Sequence, residues 1–444
     1  MALKGIDIFK LTPKTNCKDC GSPTCMAFSM KVAQGSIAID KCPHLSEDAL
    51  KVLGEATEPP MKLIDIGGHK IGGETVLYRH EKSFVSKTLY AVTVDVDNVD
   101  KKIDKIKNID YERIGERMHI EAVNVEYASS AEALCDAVRK TISAGRALIL
   151  DVQGLQSVQL DAVEAALETA KDSKPILNAA NESNYQAMSE LAVKYGAALG
   201  VSGKTLDSLY DTVAALEALG NKNLVIDVGS VSIKDAFART VQIRRAALKD
   251  GDRTFGYPSL VNVGRLAPGD PAMQTALASL FTVKYGSIII MDNMSYAQAL
   301  PLFGLRQNIF TDPQKPMKVE PGIYPINGAD EQSLCVTTVD FALTYFIVSG
   351  ELERSGVPVN LLISDAGGYS VLTAWAAGKL SATTIAKFIK ENSIEEKVKN
   401  RSLVIPGKVA VLKGELEENL PGWKIIVATN EAVGLVKFLK EYKG

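Results

Sequence analysis

The sequence lacks a long apolar run, and no uninterrupted stretch approaches the ~18–20 residues that a membrane-spanning helix needs. Its first residues also lack the apolar core of a signal peptide. A charge excess is missing too, because the formal net charge is −3 and no basic tract stands out. We therefore expect a cytoplasmic protein with neither nucleic acid nor membrane as a partner.

Cysteine is also scarce, with six residues in 444, which is too few for a disulfide scaffold. Four of the six nevertheless crowd into positions 17–42. In a reducing compartment such crowding indicates metal or cluster ligation. Cys135 and Cys335 lie in apolar runs, which favours an interpretation as small buried side chains.

The crowded cysteines follow the spacing Cys17-x2-Cys20-x4-Cys25-x16-Cys42, and proline follows the last one. An x2 gap lets two thiolates reach one centre from a single turn of chain, and Gly21 gives the backbone freedom between the second and third ligands. Four thiolates with a terminal Cys-Pro favour a [4Fe–4S] cluster. The alternative is zinc, which prefers two short cysteine pairs, a pattern that the second half of this motif lacks.

Three domains separate along the chain. Residues 1–58 carry the cysteines and end before Pro59-Pro60, a dipeptide typical of a stiff extended linker. Residues 61–310 alternate eight β-branched runs with helical stretches, which predicts a (β/α)8 barrel. The predicted strands are Leu89–Asp95, Ile120–Val125, Ala147–Val152, Ile176–Ala179, Ala197–Val201, Leu224–Val228, Ser259–Val263 and Ser287–Met291.

Residues 311–333 hold four prolines and are predicted to form a connector without regular structure. Residues 334–444 alternate strands and helices again, which predicts a small doubly wound, Rossmann-like domain with a ligand at the carboxyl ends of its strands. One short strand is predicted there at Val409–Leu412. The fold class is therefore α/β throughout, with a small cluster domain in front.

Two weaker signals lie in the predicted barrel. Gly200–Thr205 resembles a phosphate-binding loop, but the first glycine that this loop requires would fall at residue 198, which is alanine. Polar residues also stand near strand ends, where barrel enzymes keep catalytic groups: Asp151, Asn178, Asp227 and Asn262. Capping is the simpler interpretation of these four, with a pterin or methyl-transfer site as the alternative.

The opening segment Asp7–Phe28, with its Cys-Lys-Asp-Cys-Gly-Ser-Pro-Thr-Cys core, resembles the cluster domain of corrinoid iron–sulfur protein large subunits. The order of cluster domain, Pro-Pro linker, barrel, Pro-rich connector and small α/β domain extends this resemblance over essentially the full length. It implies a [4Fe–4S] cluster on Cys17, Cys20, Cys25 and Cys42, and a corrinoid held between the C-terminal domain and a partner small subunit.

The resemblance also implies a role as a methyl-group carrier. Its cobalt would take a methyl group from methyltetrahydrofolate on a separate methyltransferase and deliver it to acetyl-CoA synthase. The cluster, supplied by a low-potential donor such as ferredoxin, would reduce inactive Co(II) to Co(I). Whether the chain is itself an enzyme stays open. The alternatives are an iron–sulfur barrel methyltransferase and a reductive activator of corrinoid proteins.

A histidine below the cobalt is not expected. Many corrinoid proteins ligate cobalt through Asp-x-His-x-x-Gly, but here His69 follows Gly67 instead of aspartate, and no histidine occurs after residue 119. The absence agrees with the family pattern of a base-off corrinoid without a histidine ligand.

The resemblance and the C-terminal strand ends together predict the corrinoid-binding residues. Gly367 and Gly368 would allow close approach, and the helix that follows them would offer free N–H groups to the amide side chains of the corrin ring. The predicted corrinoid-binding residues are Asp340, Phe346, Ser370, Val371, Leu372, Thr373 and Gly434.

Overall fold

The computed structural model describes residues 5–33, 36–46, 48–50, 59–127, 130–152, 160–229, 231–312 and 316–442. Contacts divide the chain into two compact units. One holds the residues up to Asp110 together with His119–Phe310, and the other holds Tyr111–Met118 together with the residues from Thr311 onward.

The strands, in chain order, are β1 (Leu63–Ile66), β2 (His69–Gly72), β3 (Leu89–Val94), β4 (Asp110–Arg113), β5 (Glu116–His119), β6 (Ala122–Glu126), β7 (Ala147–Asp151), β8 (Ile176–Ala180), β9 (Ala198–Val201), β10 (Leu224–Asp227), β11 (Ser259–Asn262), β12 (Ile288–Met291), β13 (Gly322–Ile326), β14 (Leu334–Val339), β15 (Val359–Ser364), β16 (Ser402–Ile405) and β17 (Lys424–Val427).

The α-helices are α1 (Gly5–Leu11), α2 (Cys25–Ala33), α3 (Val99–Asn108), α4 (Ala131–Ser143), α5 (Leu160–Ala170), α6 (Tyr185–Lys194), α7 (Leu206–Ala218), α8 (Ile233–Arg245), α9 (Val263–Leu266), α10 (Pro271–Val283), α11 (Tyr296–Ile309), α12 (Ala342–Ser355), α13 (Val371–Ala376), α14 (Ala382–Glu391), α15 (Ile394–Lys397), α16 (Lys413–Asn419) and α17 (Leu435–Glu441).

The N-terminal residues pack α1 against α2, and the chain then turns back to bring Cys42 to the same small core. Both helices and the returning segment supply the core side chains, which are Ile8, Phe28, Val32, Cys42, Leu45 and Ala49. A core this small buries little apolar area, so bound metal would add substantially to the stability of this domain.

Eight parallel strands close into a barrel in the order β3, β6, β7, β8, β9, β10, β11 and β12, with β12 pairing back to β3. The predicted (β/α)8 barrel is confirmed, and each predicted strand overlaps an observed one. These strands are buried on both faces, which explains their continuous β-branched runs. Helix caps follow the sequence as well, since Ser130, Ser232 and Asp270 each accept a backbone N–H in the first turn of α4, α8 and α10.

A hairpin of β1 and β2 covers the amino end of the barrel. Ile64, Ile66 and Ile71 pack against residues at the beginning of the barrel strands, including Leu89 and Ala147. This plug leaves the carboxyl ends of the strands as the accessible end of the barrel, which is where barrel proteins build ligand sites.

The second unit contains a five-stranded sheet in the order β13-β15-β14-β16-β17. All its strands are parallel except β13, which pairs antiparallel with β15 at the edge. The order reverses between β14 and β16, and this switch point is where doubly wound sheets open a crevice for ligands. The predicted Rossmann-like domain is thereby confirmed.

Two local predictions in this unit are wrong. Residues 311–333 were expected to lack regular structure, yet Gly322–Ile326 forms β13. An edge strand tolerates Pro325 because the missing N–H need not face a neighbour. Val409–Leu412 is part of a 3₁₀ helix and not a strand. The helix is kinked at Val409 (φ −121°, ψ 31°), and Val409 and Leu412 are buried while Val411 is 70% exposed.

Two stretches of the predicted domain plan lie outside the described residues: residues 51–58, which end the N-terminal domain, and residues 313–315 of the Pro-rich connector. In the part of the chain that is described, no helix is both long and apolar enough to cross a bilayer.

Candidate functional site

The loop that carries the first three cysteines has an unusual backbone. Asn16 and Lys18 have φ of 52° and 69°, and Gly21 has φ of 72°. Left-handed residues at such close spacing wind the chain tightly and turn successive N–H groups inward, the geometry that protein loops use around anionic centres. The predicted freedom at Gly21 is thus used in the fold, and its N–H closes a turn onto the carbonyl of Lys18 at 2.8 Å.

Asn16 ties this loop to α2. Its Oδ1 accepts the backbone N–H of Cys25 at 2.9 Å, and its own N–H points to the Sγ of Cys25 at 3.4 Å. An N–H···S contact is of the kind that tunes a thiolate ligand. Cys25 and Cys42 are buried, Cys20 is half-buried and Cys17 is exposed, and all four are free thiols.

A polar group stands beside Cys17. The Nε2 of His44 lies 2.7 Å from the Oδ2 of Asp19, and hydrogen bonds from His44 and then Cys17 hold the pKa of Asp19 below its usual range. Ligand atoms of Cys17, Asp19 and His44 lie within 4.8 Å of one another, so this trio could hold a mononuclear ion. All three are exposed, whereas the thiols of Cys25 and Cys42 belong to the domain interior.

The C-terminal sheet has a pocket of about 220 Å³ at its switch point. The pocket lies at the carboxyl ends of β14, β16 and β17 and is mostly apolar. Among the residues that line it are Thr337, Thr338, Ile347, Leu372, Ile405, Pro406, Ala428 and Leu435. Its charged lining residues, Lys408 and Glu431, form an ion pair with each other at 2.9 Å.

Of the predicted corrinoid-binding residues, Ser370, Val371 and Leu372 line this pocket. The Oγ of Ser370 lies 2.9 Å from the Oγ1 of Thr373, so these two hydroxyls form a pair at the start of α13. Leu372 is 46% exposed.

Asp340 does not line the pocket. It is fully buried, and its Oδ1 accepts the backbone N–H groups of Ala366 and Gly368 at 3.0 and 2.9 Å. Gly367 and Gly368 have φ of 71° and 74°, so both glycines are required by a left-handed turn that Asp340 closes. The structure therefore gives Asp340 a positioning role: it fixes the turn that leads into α13.

Phe346 and Gly434 are also absent from the pocket wall, although their neighbours Ile347 and Leu435 line it. The Phe346 ring is 39% exposed and lies under the guanidinium of Arg113, at 4.9 Å. A Cβ at Gly434 would approach the side chain of Thr429 to 2.7 Å, so this glycine permits close packing of the turn before α17.

Sequence reasoning missed Thr337 and Thr338, the last polar residues of β14 to line the pocket. Both are 2% exposed, and neither Oγ1 has a hydrogen-bond partner among the described residues. A buried hydroxyl without a partner costs free energy, so this pair indicates that a bound group supplies the missing bonds. The sequence alone does not reveal these two buried hydroxyls, because threonine is a common strand residue.

Two family models match the chain. One, for the CO dehydrogenase/acetyl-CoA synthase delta subunit, covers residues 67–439, and the other, described as a putative Fe-S cluster, covers residues 13–44. The second match contains all four cysteines of the N-terminal motif.

Similar proteins cover nearly the whole chain. A corrinoid/iron–sulfur protein large subunit from Moorella thermoacetica is 38% identical over 99% of this chain and 99% of its own length. The gamma subunit of the acetyl-CoA decarbonylase/synthase complex from Methanothermobacter thermautotrophicus is 32% identical, again over 99% of both chains. The gamma subunit from Methanopyrus kandleri is 33% identical over 99% of this chain and 98% of its own.

Proposed function

The chain belongs to the family of corrinoid/iron–sulfur protein large subunits, and from that premise we propose that it carries methyl groups on a corrinoid and holds a [4Fe–4S] cluster. The observation that carries the proposal is the pocket of the C-terminal sheet, with its apolar wall, its two buried hydroxyls without partners and the exposed apolar side chains around it.

The C-terminal pocket suits the chemistry of a corrinoid. Apolar residues of this unit that are at least 39% exposed include Leu343, Phe346, Ile347, Tyr369, Leu372, Trp375 and Val433. Of these, Ile347 and Leu372 line the pocket, and exposed apolar side chains suit the apolar faces of a corrin ring. We propose that the ring rests on these side chains and that the nucleotide tail of the base-off corrinoid enters the pocket, where Thr337 and Thr338 donate hydrogen bonds to it.

The lower face of the cobalt would receive no imidazole from this chain's C-terminal domain, because the last histidine in the sequence is His119. Without that donor, a bound corrinoid would be easier to keep in the electron-rich Co(I) state. Asp340 contributes by fixing the turn at Gly367-Gly368, which sets the start of α13 and the hydroxyl pair of Ser370 and Thr373.

The cysteine loop suits a cluster with four thiolate ligands. We propose that Cys17, Cys20, Cys25 and Cys42 bind it, that the N–H of Asn16 polarises the thiolate of Cys25, and that the hydrogen-bonded pair of Asp19 and His44 shields the exposed side near Cys17. The Fe-S family match over residues 13–44 favours the cluster over zinc.

When bound, the cobalt would accept a methyl group originating from methyltetrahydrofolate and the cluster would supply the electron that reactivates Co(II). The proposed partners are a small subunit that completes the corrinoid site, a methyltransferase, acetyl-CoA synthase and a ferredoxin-type donor, all in the cytoplasm. We propose domain limits of 1–58, 61–310 and 334–444, with 311–333 between the last two.

The test is a Cys20→Ala variant purified anaerobically with the small subunit. Methyl transfer from freshly reduced Co(I) should proceed at the wild-type rate, whereas recovery from Co(II) should slow by about 100-fold, because the variant loses one thiolate ligand of the cluster. Cys135→Ala is the matched control, since Cys135 is also half-buried but stands outside the motif. Normal recovery in Cys20→Ala, or a wild-type protein without cobalt, would contradict the proposal.

A further inference from the structure

The barrel has a pocket of its own at the carboxyl ends of its strands, with a volume of about 680 Å³. This volume lies within the range of small-molecule sites. Its floor contains Asp227, which ends β10, and Arg265, which lies in α9 directly after β11. The loops after β8 and β9 form the rim with Asn181, Glu182, Ser202 and Lys204.

A buried polar relay holds this floor together. The Nδ2 of Asn178 donates to the Oδ2 of Asp227 at 2.8 Å and also points to the Oδ1 of Asp151 at 3.4 Å. Arg265 completes the relay through an ion pair with the Oδ2 of Asp151 at 2.9 Å. Four strand ends, those of β7, β8, β10 and β11, thus contribute to one network of two carboxylates, an amide and a guanidinium.

Filling the end of the barrel with this network costs free energy, because it buries charged groups. Asp151 and Asp227 are 2% and 4% exposed, and the positive charges near Asp227 are the guanidinium groups of Arg265 and Arg239. Burial raises the pKa of Asp227, against the opposing hydrogen bonds from Asn178 and Gly229. Apolar side chains would fill these positions at lower cost, so the network points to a function at the barrel mouth. The register shift between Asn178 and Ala180 adds to this, because such irregularities commonly re-aim side chains beside sites.

The hydrogen-bonding positions that Asp227 and Arg265 leave unused indicate which kind of ligand would fit the pocket. Each oxygen of Asp227 accepts one bond, from Gly229 at 2.8 Å and from Asn178 at 2.8 Å, and can accept one more. Arg265 is 27% exposed and keeps N–H groups beyond its bond to Asp151. A complementary edge therefore carries adjacent N–H donors for Asp227 and a carbonyl for Arg265.

We propose that the mouth of the barrel binds a neutral, planar heterocycle through an aminopyrimidinone edge. Its N–H groups contact Asp227 and its carbonyl contacts Arg265, while Val231 offers an aliphatic surface to the ring.

Other ligand classes fit this floor less well. An anion would need a free cation, but both cations in the described part of the pocket wall are paired, Arg265 with Asp151 and Lys204 with Glu182 at 3.1 Å. A divalent cation would need several oxygen ligands, and the guanidinium beside Asp151 repels it. The ring faces of a corrinoid need an apolar wall, which the C-terminal pocket has and this one lacks.

The inference deepens the proposed function but does not require it. An aminopyrimidinone edge is part of the pterin in the proposed methyl donor, so the barrel would recognise the same chemical class. Cobalt content and cluster content report on the proposed function separately from binding at the barrel mouth.

Isothermal titration calorimetry with folic acid and guanosine, which carry this edge, tests the inference on the cofactor-loaded complex. Both should bind, whereas adenosine and uridine should not. Asp227→Asn should weaken folic acid binding about tenfold, the loss of one charge-assisted hydrogen bond. Asp172→Asn, an exposed residue in the turn that enters β8 at the other end of the barrel, should leave binding unchanged.

A second variant leaves the relay intact. Val231→Trp places a bulky ring in the pocket from a loop, and it should abolish binding while cobalt content and thermal stability stay at the wild-type level. Equal affinity in Asp227→Asn and Asp172→Asn, no binding of either aminopyrimidinone, or displacement of folic acid by Mn²⁺ would each overturn the assignment.

Discussion

The C-terminal sheet and the barrel both open a pocket at the carboxyl ends of parallel strands, yet the two pockets are lined by opposite chemistry. The C-terminal pocket is mostly apolar, and among its polar lining residues Thr337 and Thr338 have hydroxyls without a hydrogen-bond partner in the described part of the chain. The barrel pocket has a floor of buried charge, in which Asn178 joins Asp151 to Asp227. The same topological position therefore carries different pocket chemistry, set by the residues at the strand ends.

The contrast also concerns how each pocket satisfies its polar groups. In the barrel, Asn178 and Arg265 already bond to the carboxylates, so the site is preformed. In the C-terminal domain the Thr337 and Thr338 hydroxyls have no hydrogen-bond partner among the described residues. Apolar side chains of the pocket wall such as Leu372 are exposed. We expect the C-terminal domain to gain more stability from its ligand than the barrel does.

The largest effect is expected from filling the C-terminal pocket. Ala428→Phe adds a ring to a pocket of about 220 Å³, which should exclude the nucleotide tail and lower corrinoid affinity by about 100-fold. Cobalt per chain, measured after purification with the small subunit, should fall accordingly. Folic acid binding at the barrel mouth should be unaffected.

Val411→Phe is the control for this substitution, because Val411 is 70% exposed and does not line the pocket. It should keep its full cobalt content. If Ala428→Phe also keeps its cobalt, the tail does not occupy this pocket and the comparison of the two pockets loses its functional meaning.

A smaller effect is expected from Thr337→Val, which removes one buried hydroxyl without changing the shape of the side chain. Corrinoid affinity should fall about fivefold to tenfold, while the corrinoid-free protein should become more stable by ~1 kcal/mol, because an unsatisfied group is lost. Two quantities are measured: cobalt retention, which should fall, and the denaturant midpoint of the corrinoid-free protein, which should rise. If cobalt retention and the denaturant midpoint changed in the same direction, the Thr337 hydroxyl would contribute to the stability of the fold and not to corrinoid binding.

The barrel strands could be predicted because they are buried on both faces. Such strands carry continuous β-branched runs, and the segment Ser287–Met291 predicted β12 to within one residue. The hairpins β1–β2 and β4–β5 were not predicted, because four-residue strands give too short a pattern to distinguish from loops. Edge strand β13 was hidden by Pro325, a residue that argues against central strands only.

The C-terminal site was predicted in part for a similar reason. Gly367 and Gly368 form the turn, and Ser370, Val371 and Leu372 line the pocket, while their role in corrinoid binding stays a prediction. Asp340, also predicted to bind the corrinoid, bonds to the backbone of that turn, and its role toward a corrinoid stays a prediction. Thr337 and Thr338 became visible only when the order of the sheet placed the end of β14 beside β16.

The smallest expected effect is a pH dependence of stability. It tests whether the Asp227 carboxyl group in the barrel pocket is desolvated. The folded-state pKa of Asp227 is raised by burial, so its contribution to stability is fully present below the unfolded pKa of ~4 and is lost as pH rises through the folded value. Asp227→Asn removes this loss. The free energy of unfolding of the variant, relative to wild type, should therefore increase as the pH rises from 4.5 to 8. Thermal denaturation at several pH values measures this difference, and Asp172→Asn, on an exposed turn, should show no such trend. If the difference in the free energy of unfolding between Asp227→Asn and wild type did not change with pH, the Asp227 carboxyl group would be solvated in the folded protein. The floor of the barrel pocket would then not be a desolvated site.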